Sequence, residues 1–230
     1  MTILAIGAHP DDIEFGCAPV ILKEAKRGTR AKLLVLSRGE AGSNGTPESR
    51  EQESRRAAEL LGGTVDFLDF GGDCHLEYSP ANAIRIAAEI RRAKPDIVLA
   101  PYPEENQHPD HAVAGKLARD ACRLARYGGL NALKPLASHS IRSLYFYTIT
   151  QQFGRAPDVV MDIGDVMDEW EAAMNCHESQ MKSKGYVELE KAKARSLGLS
   201  IGVSYAAGLY ANDPLMLESL SDITLSSRHY

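Results

Sequence analysis

Two short stretches carry residue types that do chemistry together. The first is His9-Pro10-Asp11-Asp12, and the second is His108-Pro109-Asp110-His111, about a hundred residues further on. Imidazole and carboxylate are the usual nitrogen and oxygen ligands of a catalytic divalent metal. Two imidazoles and one carboxylate around an open position make a catalytic site rather than a closed structural one. A bent loop brings residues three apart close together, so His9 and Asp12 can turn toward one ion, with His111 as the third ligand. Asp11, between them, is then free to act as a base. Two other readings stand beside this one: an aspartate that only caps the following helix, and an exchange of roles in which Asp11 ligates and Asp12 does not. A metal so held polarises a carbonyl and lowers the pKa of a water toward neutrality. Asp11 would take the proton. His108 would stabilise the oxyanion or protonate the leaving group, with Asp110 either capping its helix or orienting the His108 ring. Zinc suits such ligands and hydrolysis, and Fe(II) accepts the same set. These parts add up to metal-assisted hydrolysis of an amide or ester.

The elements that must position these residues are readable from pattern. Ile3-Leu4-Ala5-Ile6 is short, apolar and partly β-branched, a buried strand. The first motif leaves its C-terminal end, and a helix is expected from Cys17 to Arg27 with Pro19 in its first turn. Ala31 to Leu36 is a second strand, followed by a Gly-rich loop, Ser37 to Thr46, that is either filler or a substrate-facing surface. Thr46-Pro47-Glu48-Ser49 starts a helix that runs to Leu61 and stops at Gly62-Gly63. Arg50 sits in its first turn, an unfavourable place for a cation; it is either solvated or aimed across the loop at a polar ligand. Strands at Val65 to Leu68 and Ile97 to Ala100 bracket a helix from Pro80 to Arg92, and a helix from Ala112 to Arg126 follows the second motif. The β-α alternation implies a Rossmann-like, doubly wound, mostly parallel sheet with helices on both faces. In the order 3-2-1-4, strands one and four are neighbours and the two motifs meet at the switch point between them. Further on, Ser143 to Tyr147 and Asp158 to Asp162 read as strands, and Val166 to Met181 and Val187 to Leu199 as helices. His75 reads as an ordinary loop histidine, His177 as a solvated one, and Trp170, Tyr205 and Tyr210 as packing residues.

The length of 230 residues, with no linker or repeat, fits one domain over 1–230. A net charge of −5 argues against a nucleic-acid partner. No apolar run is long enough to span a membrane. The strand begins almost at once, with no basic leader before it, and this suggests a cytoplasmic protein. Cys17, Cys74, Cys122 and Cys176 are scattered without a C-x-x-C pair, against a zinc ribbon or disulfide framework.

At Ala8-His9-Pro10-Asp11-Asp12 with Gly16, and at His108-Pro109-Asp110-His111, the sequence resembles the LmbE or PIG-L family of N-acetylglucosaminyl deacetylases. The likeness extends through Ser43-Asn44-Gly45-Thr46 with Arg50 and from Leu144 through Asp162. Among members it looks most like the bacillithiol-pathway deacetylases that act on N-acetylglucosaminyl malate. The resemblance implies zinc on His9, Asp12 and His111, Asp11 as general base, His108 near the oxyanion and Arg50 on the substrate. It implies a small amino-sugar substrate and a homo-oligomer, a trimer or hexamer. Asn106 stands where mycothiol-pathway members carry Tyr, and Tyr205-Ala206-Ala207-Gly208 lacks the acidic residue usual in bacillithiol members; both bear on the substrate and leave the chemistry in place. Another N-acyl substrate or a non-catalytic sugar-binding relative are the alternatives. A nucleotide-binding module would need a Gly-rich phosphate turn after strand one, where this chain has carboxylates. A non-haem iron oxygenase would normally be built on a β-barrel, which the alternation contradicts.

Overall fold

The computed structural model describes residues 1–104, 107–150, 155–182, 185–222 and 226–227. Asn106 and residues 151–154 of the Leu144 to Asp162 stretch therefore lie outside the described residues. Strand β1 (Thr2–Gly7) is buried from Ile3 onward. Its alternate side chains enter different cores: Ile3 and Ala5 face one, Leu4 and Ile6 the other. A strand apolar on both sides is what a parallel sheet covered on both faces requires. β1 pairs in parallel with β2 (Arg30–Val35) and β4 (Ile97–Pro101); β3 (Gly63–Phe67) lies outside β2, and β5 (Ser143–Tyr147) pairs in parallel with β4. The order is β3-β2-β1-β4-β5-β7-β6, which contains the expected 3-2-1-4 and places the β1 and β4 loops side by side.

β7 (Ala206–Ala211) is a strand that the sequence reading lacked. It runs antiparallel between β5 and β6 (Val159–Asp162). Its sequence, AAGLYA, is poor in β-formers, so tertiary pairing decides it. Ala207 belongs to this strand and faces a separate cavity of about 340 Å³ near Trp170 and Lys193.

Helix boundaries shift where they matter most. The chain turns helical at once after Asp11, as α1 (Asp12–Gly16), breaks at Cys17, and resumes as α2 (Ala18–Ala25). Gly16 is required here, since a Cβ would lie 2.1 Å from the Tyr147 ring. Tyr147 is fully buried and its hydroxyl donates to Ile6 O at 2.6 Å, tying β5 to β1. α3 (Pro47–Leu60) starts on the expected cap, Thr46 and Ser49 bonding reciprocally. α4 (Pro80–Ala93) and α5 (Pro109–Ala125) pack on one face. α5 begins before the expected Ala112, so Asp110 and His111 stand in its first turn rather than on a loop. α6 (Met167–Asn175) ends well before Met181, and α7 is Tyr186–Ser200. Among the described residues no helix is long and apolar enough to cross a membrane.

Candidate metal centre and active site

Asp11 is the hinge of the first motif. Its backbone is left-handed, with φ of 99°, a conformation L residues adopt at a cost and keep at sites the surroundings over-determine. The turn drives Asp12 inward, where it is 2% exposed. Asp12 Oδ2 accepts from the backbone N–H of Ala8 at 2.8 Å and of His9 at 2.9 Å. Its other oxygen, Oδ1, stands 3.0 Å from His111 Nε2, and His9 Nδ1 lies 3.6 Å from Oδ2. His9, Asp12 and His111 thus bring two imidazoles and a carboxylate to within 4.8 Å of one another, all buried. This donor set, in that space, fits a divalent cation.

The outer nitrogen of His9 is held as metal-ligating histidines usually are, by carboxylates. Nε2 lies 3.1 Å from Asp73 Oδ1 and 3.3 Å from Asp110 Oδ2. The Asp110 carboxylate thus faces His9, where the sequence left it either capping its helix or orienting the His108 ring. It also accepts from Cys74 N–H at 2.8 Å, while the Asp110 backbone N–H reaches His108 Nδ1 at 3.2 Å. That bond puts the His108 proton on Nε2, facing the cleft. Burial, with His9 and His111 nearby, pushes the His108 pKa below the ordinary imidazole value. At neutral pH the ring is then an uncharged donor.

Burial would raise the Asp12 carboxyl, but His111 and His9 outweigh it and hold it well below the usual range. Burial would lower His9, but Asp12 and the bonds to Asp110 and Asp73 raise it well above the imidazole value. Asp11 behaves oppositely to Asp12. Burial pushes it up to about 6, against Arg50, His177 and His9, with Asp12 adding to the rise. Two adjacent carboxyls thus have separated pKa values, the pattern of a ligand beside a base.

Arg50 is 4% exposed, which removes the solvated reading. Its Nη1 donates to Gly39 O at 3.0 Å, and Nη2 to Pro10 O at 2.9 Å and Asp11 Oδ2 at 3.3 Å. Gly39 has to be glycine: its φ is +71°, and a Cβ would meet Nη1 at 1.9 Å. The guanidinium thus pins the Gly-rich loop to the catalytic turn. From the other side, Gln180 Nε2 donates to Asn44 O at 3.1 Å, and Ser179 N–H and Oγ bond the buried Glu53 carboxylate.

His177 is a correction. It is wholly buried, because α6 stops at Asn175 and the chain folds inward. Its Nε2 lies 3.3 Å from Glu14 Oε2, behind the catalytic turn. His75, two residues beyond Asp73, is exposed. Asp73 and Cys74 were missed, although they follow β3 on the same edge of the sheet as the two motifs. The signal was positional: a loop at the C-terminal end of a parallel strand. Asp11, Asp12, Arg50, Asp73, Cys74 and the three site histidines line one polar cleft of about 250 Å³, with Gln107, Thr150, Gln180 and Tyr186 among its other walls. Among the described non-glycine residues, those with positive φ are Asp11, Cys74, Gln107, Thr150 and Lys94. All but Lys94, which ends α4, line this cleft.

A family model described as PIG-L, GlcNAc-PI de-N-acetylase, matches residues 4–122. The chain is 33% identical over 213 residues to the diacetylchitobiose deacetylase of Thermococcus kodakarensis, covering 87% of this chain and 77% of that protein. The conserved protein TT1542 of Thermus thermophilus superposes with a TM-score of 0.83 at 33% identity, over 94% of this chain and 96% of its own. The 4-carboxy-2-hydroxymuconate hydratase of Pseudomonas putida superposes with a TM-score of 0.84 at 27% identity, over 95% and 99%.

Proposed function

The chain belongs to the PIG-L family, and on that premise we propose that it removes the acetyl group from an N-acetylglucosamine-type substrate by hydrolysis. A metal-dependent, amide-hydrolysing deacetylase is supported by the family and by the buried histidine–aspartate clusters together. The observation that carries the finer reading is the pairing of the His9–Asp12–His111 group with a neighbouring carboxyl, Asp11, that stands outside both potential ligand groups and whose pKa burial raises to about 6. A divalent cation held there, with zinc the leading choice and Fe(II) the alternative, would supply Lewis-acid polarisation of the carbonyl and acidify a water. Asp11 accepts the proton of the attacking water. The Nε2–H of His108 donates to the oxygen on which charge develops, or to the departing nitrogen. Asp110 and Asp73 hold His9 in its tautomer. Arg50 serves the substrate side by fixing the loop and Asp11.

Among the described residues, Arg50 is the one lysine or arginine lining the cleft, and its Nη atoms are committed to protein oxygens. This favours an uncharged aglycone over the malate conjugate. It also counts against hydration of a polycarboxylate, the second reading that the structural likeness to the hydratase raises. The test is elemental analysis of purified protein, then acetate release from N-acetylglucosamine, diacetylchitobiose, the malate glycoside and other N-acyl compounds. Stoichiometric divalent metal and acetate from a neutral glycoside are the expected results. No acetate from any member, with metal present, would leave hydration or sugar binding alone.

We also propose that the chain is a homo-oligomer, as the resemblance implies. Leu215, Met216 and Leu220 are 56%, 96% and 83% exposed, apolar surface that a second copy would cover. Light scattering on the eluting protein tests this.

A further inference from the structure

We propose a second divalent-cation site at the mouth of the cleft, formed by Asp73, Cys74 and His108, that takes zinc in excess and withdraws His108 from catalysis. The inhibitory consequence rests on the deacetylase reading above; the site itself does not. Cys74 Sγ lies 3.4 Å from Asp73 Oδ1 and 3.6 Å from His108 Nε2. The third side of the triangle, His108 Nε2 to Asp73 Oδ1, is 3.9 Å. Tetrahedral zinc with bonds of about 2.0 Å to nitrogen or oxygen and about 2.3 Å to sulfur sets its ligand atoms roughly 3.3–3.6 Å apart. The triangle needs only a small contraction to close on an ion.

This site is separate from the buried centre. The inner face of His9 looks to Asp12, and its outer nitrogen looks to Asp73 and Asp110, which with His108 form a second potential ligand group. Thiolate, imidazole and carboxylate together suit zinc far better than magnesium or calcium. The charges also balance: a thiolate and a carboxylate neutralise a dication, and the thiol proton passes to solvent as the ion binds. Cys74 is exposed and the His108 side chain is 31% exposed, so the ion can arrive from water without opening the core. Cys74 holds its side chain at a φ of +67°, where glycine would be at ease. Coordination through Nε2 moves the His108 proton to Nδ1 and gives up the bond from Asp110 N–H. That exchange makes the outer site the weaker of the two, filled only after the inner one. Once filled, it takes from the reaction the same Nε2 that would donate to the substrate.

Cobalt(II) is the probe, because a thiolate bound to it adds a charge-transfer absorption in the near ultraviolet. Wild-type protein carrying one equivalent of metal is titrated with cobalt, and in parallel with zinc, while bound metal and acetate release are followed. The variants are Cys74→Gly, which suits the backbone, and Cys74→Ala, which keeps the Cβ. Wild type should take a second equivalent with the thiolate band, and its rate should fall in step. Both variants should keep the first equivalent and lose the band, and the rate of each, taken relative to its own one-equivalent value, should no longer fall as the second ion is added. Their second-ion affinity should fall by more than the roughly 10–100-fold that loss of an outer-shell partner costs. A wild type without the band, variants that bind the second ion as tightly, or a rate unaffected by its binding would each overturn the proposal. A Cys74-dependent band in a protein that deacetylates nothing upholds the site and fails the deacetylase reading instead.

Discussion

At the scale of single residues, Asp11 and Asp12 show how position alone separates two identical side chains. Asp12 accepts from two backbone N–H groups and lies in direct contact with two imidazoles, so it stays ionised; for Asp11, Arg50, His177 and His9 together do not make up for burial and for the charge of Asp12 beside it. Asp11→Asn tolerates the left-handed backbone and keeps a hydrogen-bonding group, yet cannot accept a proton. Metal content should remain near normal while the rate falls by roughly 10²–10⁴-fold; loss of metal would instead make Asp11 the ligand. Because the base works ionised, the wild-type rate should fall as pH drops through its pKa. That value is about 6 for the protein groups alone, and a bound cation moves it lower. His111→Ala removes one of three protein ligands and should lose its metal outright; full occupancy in that variant would break the assignment. For Arg50, lysine cannot reach Gly39 and Pro10 with a planar fork. Arg50→Lys should lower kcat/KM with metal retained, and an unchanged kcat/KM would remove Arg50 from the substrate side.

At the scale of elements, the second motif works because it opens a helix. His108 is the cap of α5, and its Nδ1 receives the Asp110 N–H. The far end of α5 is held by Arg91 on α4, itself 2% exposed. Arg91 donates to the carbonyls of Ala125, Tyr127, Leu133 and Leu136 at 2.7–2.8 Å. Arg91→Leu strands several buried acceptors and should cost at least about 3 kcal/mol. For a chain of this size that is a fall in Tm of roughly 6–12 °C. A smaller change would mean that water replaces the guanidinium. The segment after α6 behaves differently. Burial lowers the His177 pKa, but Glu14, with Asp11 and Glu53 further off, outweighs it and leaves the pKa raised. A raised histidine contributes stability that is complete below the unfolded value of about 6.5 and is lost as pH climbs through the folded value. The stability gap between wild type and His177→Gln should therefore be widest in acid and narrow toward alkaline pH. A gap independent of pH would show that His177 stays neutral.

At the scale of the whole molecule, the family match at residues 4–122 covers both motifs but not the walls behind them. Tyr147 bonds Ile6, Trp170 Nε1 bonds Glu14 O at 2.8 Å, and Ser179 bonds Glu53, so the later half of the chain braces the first turn of the site. β7, late in sequence, separates β5 from β6. We propose on these grounds that residues 1–230 unfold as one unit. Calorimetry should give one transition, and a fragment ending near residue 130 should neither fold nor hold metal; a folded, metal-loaded fragment would contradict this.

The local chain determines much of this. β1 is apolar at every position from Ile3 to Ile6, so it has to be buried on both faces, and the β-α alternation then leaves little choice of topology. The motif residues were legible because a histidine and two aspartates at the end of such a strand have few structural uses. Thr46-Pro47 fixed the start of α3 for the same reason: capping is local chemistry. Tertiary structure decided what depends on long-range partners. Whether Arg50 is solvated, whether His177 is buried, and which histidine the Asp110 carboxylate holds are set by groups far away in sequence. β7 forms because β5 and β6 offer edges to an Ala- and Gly-rich segment with little strand preference of its own. Asp73 and Cys74 join the site only because β3 ends on the same edge of the sheet as β1, a matter of strand order that no single stretch of residues encodes.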